Sequence, residues 1–239
     1  MLKFLGSGSA FNTKRGDTCA YFELGGELFL FDLGEDVFRK LIARGLLKRK
    51  SRINIFITHL HADHAGGLGT TIAYLYYKVF HQDMSNICIY YPSEAIVDCL
   101  KLQGVPQSCY NLFVNRWDEL YLPGLKVQPE YAFYDAIHVP VMDCYSIEFM
   151  MGNEFSFFYS GDTNTFHEKL QNIDAYDHVY HEVTMHEEEA VHFSYQKLLE
   201  ATKTFTIEQK NKIYLMHLEE DFDEKKAVLD GFRIAENEL

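Results

Sequence analysis

Along this chain, short apolar runs with the two-residue period of strands alternate with stretches whose apolar positions recur at helical spacing. The opening run, residues 2–5, breaks at Gly6-Ser7-Gly8-Ser9. Residues 19–24 and 27–33 form a predicted hairpin around Gly25-Gly26, its second strand ending at Asp32-Leu33-Gly34. Between 36 and 48, Val37, Phe38, Leu41, Ile42 and Leu46 share one helical face, and basic residues gather at the C-terminal end, where they complement the helix dipole. A β-branched run over 52–58 predicts a strand, 69–82 a tyrosine-rich helix, 87–91 a strand, and 93–102 a helix begun by Ser93-Glu94. Residues 125–138 read as strands, 145–159 as a hairpin turning at Gly152-Asn153, and 177–183 as a strand. A helix over 194–204, a strand over 213–216 and a closing helix over 223–236 complete the pattern. Strands and helices alternate in both halves, which predicts an α/β fold of sheets covered by helices. No linker or close repeat interrupts it, so residues 1–239 are read as one domain of two βα-rich halves.

Nineteen Phe and sixteen Tyr in 239 residues supply enough apolar bulk for one large interior. The net charge of −13 argues against a surface that grips long nucleic acid, because phosphate neutralisation needs a basic patch. Bound cations would still make a local pocket positive, so a small anionic substrate is compatible with an acidic exterior. Five scattered cysteines (Cys19, Cys88, Cys99, Cys109 and Cys144) include no Cys-x-x-Cys pair and read as reduced thiols of a cytoplasmic protein. The N-terminus enters a glycine-rich turn without an apolar signal region, and no apolar run reaches the ~20 residues of a membrane helix.

The chemistry concentrates in His59-Leu60-His61-Ala62-Asp63-His64, directly after a predicted strand. His59 and His61 are two apart on extended backbone and face one side. Asp63 and His64 follow as the chain turns toward a helix, and Gly66-Gly67 permits close backbone approach. Four nitrogen and oxygen ligands in so short a span suit zinc, with two ions sharing the set; manganese and iron fit such donors too. A polar loop that is histidine-rich by chance would lack distant partners. Here His138, Asp162 and His217 each follow a predicted strand, at the edge where α/β sheets gather ligands.

The run Thr58-His59-Leu60-His61-Ala62-Asp63-His64-Ala65-Gly66-Gly67 resembles the signature of the metallo-β-lactamase superfamily. That resemblance covers nearly the whole chain and implies an αββα sandwich. By position it implies that His59, His61 and His138 hold one metal, that Asp63, His64 and His217 hold the other, and that Asp162 bridges them. Asp32 matches the aspartate that supports the histidine loop.

Three features are similar to the phosphodiesterase branch related to tRNase Z: Gly6-Ser7-Gly8-Ser9, Ser160-Gly161-Asp162-Thr163, and His181-Glu182-Val183-Thr184 with His192-Phe193-Ser194 downstream. The last pair resembles that branch's paired motifs, with Val183 and Phe193 as departures. The resemblance implies a hydroxide generated between two zinc ions, Asp63 orienting it, and His192, held by Glu182, protonating the leaving group. Only 24 positions separate His138 from Asp162, which leaves no room for the tRNA-gripping arm of tRNase Z. A compact, armless relative resembles the superfamily's small cyclic-nucleotide phosphodiesterases, among them phage anti-Pycsar nucleases. It implies a 3′,5′-cyclic mononucleotide substrate, pyrimidine ones included, a homodimer, and evasion of antiviral signalling in the host cytoplasm if the gene is viral. Tyr74, Tyr76 and Tyr77 offer either a stacking surface or, more simply, core and dimer contacts.

The alternatives are a tRNA 3′-end endonuclease, a lactonase, thioesterase or β-lactamase, a flavo-diiron oxidoreductase, and an inactive scaffold. The Glu182–His192 pair separates phosphodiester chemistry from the other hydrolases. The flavo-diiron type carries a glutamate where His61 stands, and an inactive scaffold would have lost ligands.

Overall fold

The structure, a computed structural model, describes residues 1–188 and 190–238. One sheet runs in chain order: β1 (Lys3–Gly6), β2 (Cys19–Leu24), β3 (Glu27–Phe31), β4 (Ile53–Phe56), β5 (Ile87–Tyr90) and β6 (Asn111–Phe113). The other comprises β7 (Trp117–Glu119), β8 (Glu130–Asp135), β9 (Tyr145–Met151), β10 (Phe155–Tyr159), β11 (His178–Glu182), β12 (Ile213–Met216) and β13 (Arg233–Ile234), again in chain order. Both sheets begin with antiparallel hairpins and end with parallel strands. Parallel pairing requires crossovers, and helical segments supply them. The helices are α1 (Val37–Ala43), α2 (Ala62–Ala65), α3 (Leu68–Tyr74), α4 (Ala95–Leu102), α5 (Tyr195–Ala201), α6 (Ile207–Lys210) and α7 (Glu224–Leu229), joined by a 3₁₀ segment, Glu168–Ala175.

Aromatic rings lock the two sheets face to face. Phe31 of the first sheet lies edge-on to Phe157 of the second at 5.2 Å, and Phe22 edge-on to Phe149 at the same separation. Such pairs add about 0.5–1.5 kcal/mol each beyond area burial. Leu41, Leu68, Ile72, Ile96 and Leu100 bring α1, α3 and α4 into the same core, while Leu170, Leu198 and Ala227 pack with Val179 and Leu215 in a second cluster. The layers are therefore helix, sheet, sheet, helix.

Three predicted elements need correction. The closing helix over 223–236 stops at Leu229: Gly231, at φ +98°, turns the chain, and β13 adds to the sheet beside β12. The helix over 36–48 ends at Ala43, ahead of Gly45 at φ +66°. Of 125–138 only Glu130–Asp135 is a strand, and the edge strands β6 and β7, three residues each, carry too few apolar positions to show a period. The 69–82 helix is present as α3 continued by a π-turn over Leu75–Val79. Among the described residues no helix is long and apolar enough to cross a membrane, and all five cysteines are free thiols.

His181 illustrates the cost of a buried titratable group. It is fully buried between Phe166 and Phe193, its Nδ1 donating to the Glu182 carbonyl at 2.7 Å, and burial pushes its imidazole down to about 4. The unfolded chain takes up this proton near 6.5. Stability therefore falls as pH drops from about 6.5 toward 4, by up to about 3 kcal/mol from this group, and no further below that. Urea unfolding of the wild type and of His181→Gln across this window checks it: the variant's slope should be shallower, and equal slopes would refute the assignment.

Candidate metal centre

The histidine loop is placed by one carboxylate. Asp32 directly follows β3 in a left-handed conformation, φ +61°, which Asp tolerates better than bulky residues. Its fully buried carboxylate accepts from Thr58 N at 2.8 Å, Thr58 Oγ1 at 2.9 Å, His64 Nδ1 at 2.9 Å and Tyr159 OH at 3.2 Å. One side chain thus ties together the ends of β3, β4 and β10 and the helix α2. Contact between the loops is close enough to demand glycine: a Cβ on Gly67 would stand 2.3 Å from the Gly34 carbonyl oxygen.

Two donor sets result. His59 Nε2 lies 2.9 Å from His61 Nδ1, His138 Nε2 lies 3.3 Å from the same atom, and both Nε2 atoms are 3.7 Å from Asp162 Oδ2. In the second set Asp63 Oδ2 is 3.3 Å from His64 Nε2 and 3.2 Å from His217 Nε2, while Asp162 is 3.3 Å from His64 and 3.4 Å from His217. A tetrahedron with ~2.1 Å arms has edges of about 3.4 Å, so these separations are those of ligands around zinc-sized ions. His64 Nε2 and Asp162 Oδ1 are buried and make no hydrogen bond, although they lie 3.3 Å apart. Buried polar atoms are rarely left so. The other ring nitrogens are occupied: His138 Nδ1 bonds the Val191 carbonyl at 2.8 Å and His59 Nδ1 faces Thr58 Oγ1 at 3.1 Å, orienting Nε2 inward. The donor chemistry and spacing fit two divalent cations sharing Asp162.

Electrostatics agrees with that fit. Burial holds the imidazoles of His59, His61 and His138 below their usual value, hence neutral and able to ligate. Burial works to raise Asp63 and Asp162, but adjacent histidines win and keep both well below the ordinary carboxylate range. His64 and His217 are also buried, yet the surrounding carboxylates, Asp162 foremost, raise both. His217 itself sits at φ +57°, a left-handed position that His occupies more often than most residues.

Beside the centre, His192 Nδ1 is 2.8 Å from Glu182 Oε2, and its ring stacks on His217 at 5.1 Å. Glu182 is fully buried, takes a further bond from Thr163 N, and is pushed by burial up to about 7 against the opposing pull of His192. A cleft of about 410 Å³ opens onto the centre, and His61, Asp63, His138, Asp162, His192 and His217 form part of its wall.

With this geometry in view, the sequence profile of the family described as Anti-Pycsar protein Apyc1 matches residues 1–108 and 116–237. The chain belongs to that family. It is 28% identical to the Anti-Pycsar protein Apyc1 of Bacillus phage vB_BveM-Goe7 over 253 aligned positions, covering 98% of this chain and 95% of the relative. It is 36% identical to the Ribonuclease Z of Methanococcus maripaludis over 105 residues, 44% of this chain but only 33% of that protein. The fold is that of the metallo-β-lactamase fold protein YhfI from Bacillus subtilis, with a TM-score of 0.70 at 16% identity over 96% of this chain and 90% of that one.

All nine site residues proposed from this family member's sequence converge on the cleft or its immediate backing. The tyrosines of α3 and the π-turn that continues it do not. Tyr74 packs on Phe38 at 5.5 Å, Tyr76 and Tyr77 contact each other at 5.0 Å, and none of the three lines the cleft. Sequence reading missed Tyr159, whose hydroxyl reaches Asp32, and the Val191 carbonyl that orients His138. The first had only its place before Ser160-Gly161-Asp162 as a signal; the second, a backbone atom, had none. A further group, His186, Glu219 and Asp221, is largely exposed, and solvated charges of this kind are common on surfaces.

Proposed function

We propose that this chain is a metal-dependent phosphodiesterase that hydrolyses 3′,5′-cyclic mononucleotides, pyrimidine ones included. The observation that carries the reading is the Glu182–His192 pair set against two donor sets that share Asp162. Two divalent ions, zinc by preference with manganese or iron as substitutes, would supply Lewis-acid charge at the phosphoryl oxygens and lower the pKa of the attacking water. His59, His61 and His138 would hold one ion, Asp63, His64 and His217 the other, with Asp162 between them.

This chain's own groups do the rest. Asp63, at the cleft wall, orients the water that attacks phosphorus. As the P–O bond to the ring oxygen breaks, His192 passes a proton from Nε2 to the departing alkoxide. Glu182 holds the Nδ1 proton and so fixes the ring and its tautomer. One water and one ester bond are consumed, the proton that His192 gives is made good by the one the attacking water loses, and a monophosphate with one newly freed hydroxyl results.

Substrate size follows from the walls. Among the described residues no lysine or arginine lines the cleft, which leaves nothing for a second phosphate or a nucleic-acid backbone. The 23 residues between His138 and Asp162 are taken up mainly by the β9–β10 hairpin of the second sheet rather than by a projecting arm. Membership of a family described as anti-Pycsar supports a cyclic mononucleotide, destruction of which would blunt an antiviral signal in the host cytoplasm. The reading includes a homodimer, with the partly exposed Tyr77 face of the α3 region as the contact.

The test is a panel of cyclic purine and pyrimidine mononucleotides, assayed with and without chelator. Chelator-sensitive release of monophosphate is the expected result. No turnover on any member would overturn the reading, and faster cleavage of a precursor tRNA would replace it with the endonuclease.

A further inference from the structure

Phe11 is an unusual residue in an unusual place. Its side chain is 92% exposed, yet it lines the cleft that holds the two donor sets. It also borders a smaller recess of about 110 Å³ that reaches Glu182 and His192. Its exposure is not that of a loose loop. Ser9 N donates to the Leu218 carbonyl at 3.0 Å, Leu218 N to Ser7 O at 3.0 Å, and Gly16 N to Asn12 O at 2.8 Å. The buried Asn12 side chain, next in sequence, also donates to Leu218 O at 2.7 Å, and Arg15 ties the loop to Ser7 and Glu224. Leu218 directly follows His217, so the aromatic ring is mounted on the same support as one member of the metal centre.

A solvent-facing aromatic held beside the site presents a flat apolar face to whatever enters the cleft. Ala10, Val139 and Val191 add apolar surface to the same cleft, and among the described residues no lysine or arginine lines it. The part of the ligand beyond the reacting phosphate therefore meets an apolar, aromatic wall with acidic residues, Asp17 and Glu35, at its edge. A neutral planar ring suits this surface; a second phosphate does not.

We propose that Phe11 is the platform on which the nucleobase of the substrate stacks, with its phosphodiester directed to the shared donor sets. This rests on the reaction proposed above and assigns the part of the substrate that the metal centre does not hold. Stacking on a π-face is tolerant of base identity, because every base has one, so purines and pyrimidines are both accepted. The rigid loop keeps the ordering cost of that contact low.

Two readouts test it on the full-length, metal-loaded protein. The first compares kcat/KM for cyclic UMP with that for a base-free 1-O-methylribose 3′,5′-cyclic phosphate. Wild type should prefer the nucleotide, and Phe11→Ala should shrink that preference roughly tenfold or more, with Phe11→Trp restoring it. The second measures binding of UMP and of ribose 5-phosphate by calorimetry, which needs no turnover. Tighter binding of UMP in wild type, collapsing in Phe11→Ala, supports the platform even if no cyclic nucleotide is cleaved, in which case only the proposed reaction fails. Equal affinities in the wild type, or equal losses for both ligands in Phe11→Ala, overturn the platform. A Phe11→Ala protein that changes oligomeric mass but keeps its base preference also overturns it, assigning the ring to contacts between copies.

Discussion

His192→Ala is expected to lower kcat on a cyclic mononucleotide about 10²–10⁴-fold while metal content stays at the wild-type level. The expectation follows from position: the imidazole is bound to Glu182 at 2.8 Å, stacks on His217, and lines the cleft without belonging to either shared donor set. An alkoxide is a poor leaving group, and protonation in the transition state removes most of that difficulty. The effect should therefore depend on the leaving group. A p-nitrophenyl phosphodiester, whose phenolate departs unaided, should lose far less activity than the cyclic nucleotide. Glu182→Gln should fall between wild type and His192→Ala, because an amide can still accept the Nδ1 proton but no longer stabilises the charged ring. Equal losses on both substrates would assign His192 to binding instead of proton transfer.

Asp32→Ala should destabilise the fold by about 3–5 kcal/mol and weaken zinc affinity 10–100-fold. The carboxylate is fully buried and its removal strands Thr58, His64 Nδ1 and the Tyr159 hydroxyl together. For a chain of this size, a loss of that order lowers the melting temperature by roughly 10 °C. Asp32→Asn keeps the shape and should recover much of the stability but little of the metal affinity, since an amide cannot satisfy all four donors while holding His64 in one tautomer. Differential scanning calorimetry and competition with a metallochromic chelator read the two effects separately. His186→Ala, at an exposed histidine outside the centre, is the control. Unchanged zinc affinity in both Asp32 variants would show that the histidine loop orients itself.

Local pattern was a good guide where periodicity was strong. β3 is buried along its whole length, and its continuous apolar run is what a sheet interior shows on paper. The pattern failed at edges and ends. β13 is two residues long and exists because Tyr214 and Leu215 of β12 offer it a ladder; its sequence neighbourhood reads as helix. The three tyrosines after Leu68 read more simply as core and dimer contacts than as a stacking surface, and none of them lines the cleft; the ring standing there is Phe11, which lies in a stretch with no period at all.

By itself the sequence determined the inventory of candidate donor residues, the α/β class and the shortness of the segment between His138 and Asp162, because these depend on residue type and spacing along the chain. Only the tertiary structure decided how the inventory is divided. Asp162 meets both donor sets because β10 ends beside β4 and β12 ends beside β11, a juxtaposition made by sheet packing and not by sequence distance. It also decided which nitrogen of His64, His59 and His138 faces inward, through Asp32, Thr58 and a backbone carbonyl at Val191. Burial then set their charge, since removing water is what lowers an isolated imidazole and what a ring of carboxylates reverses.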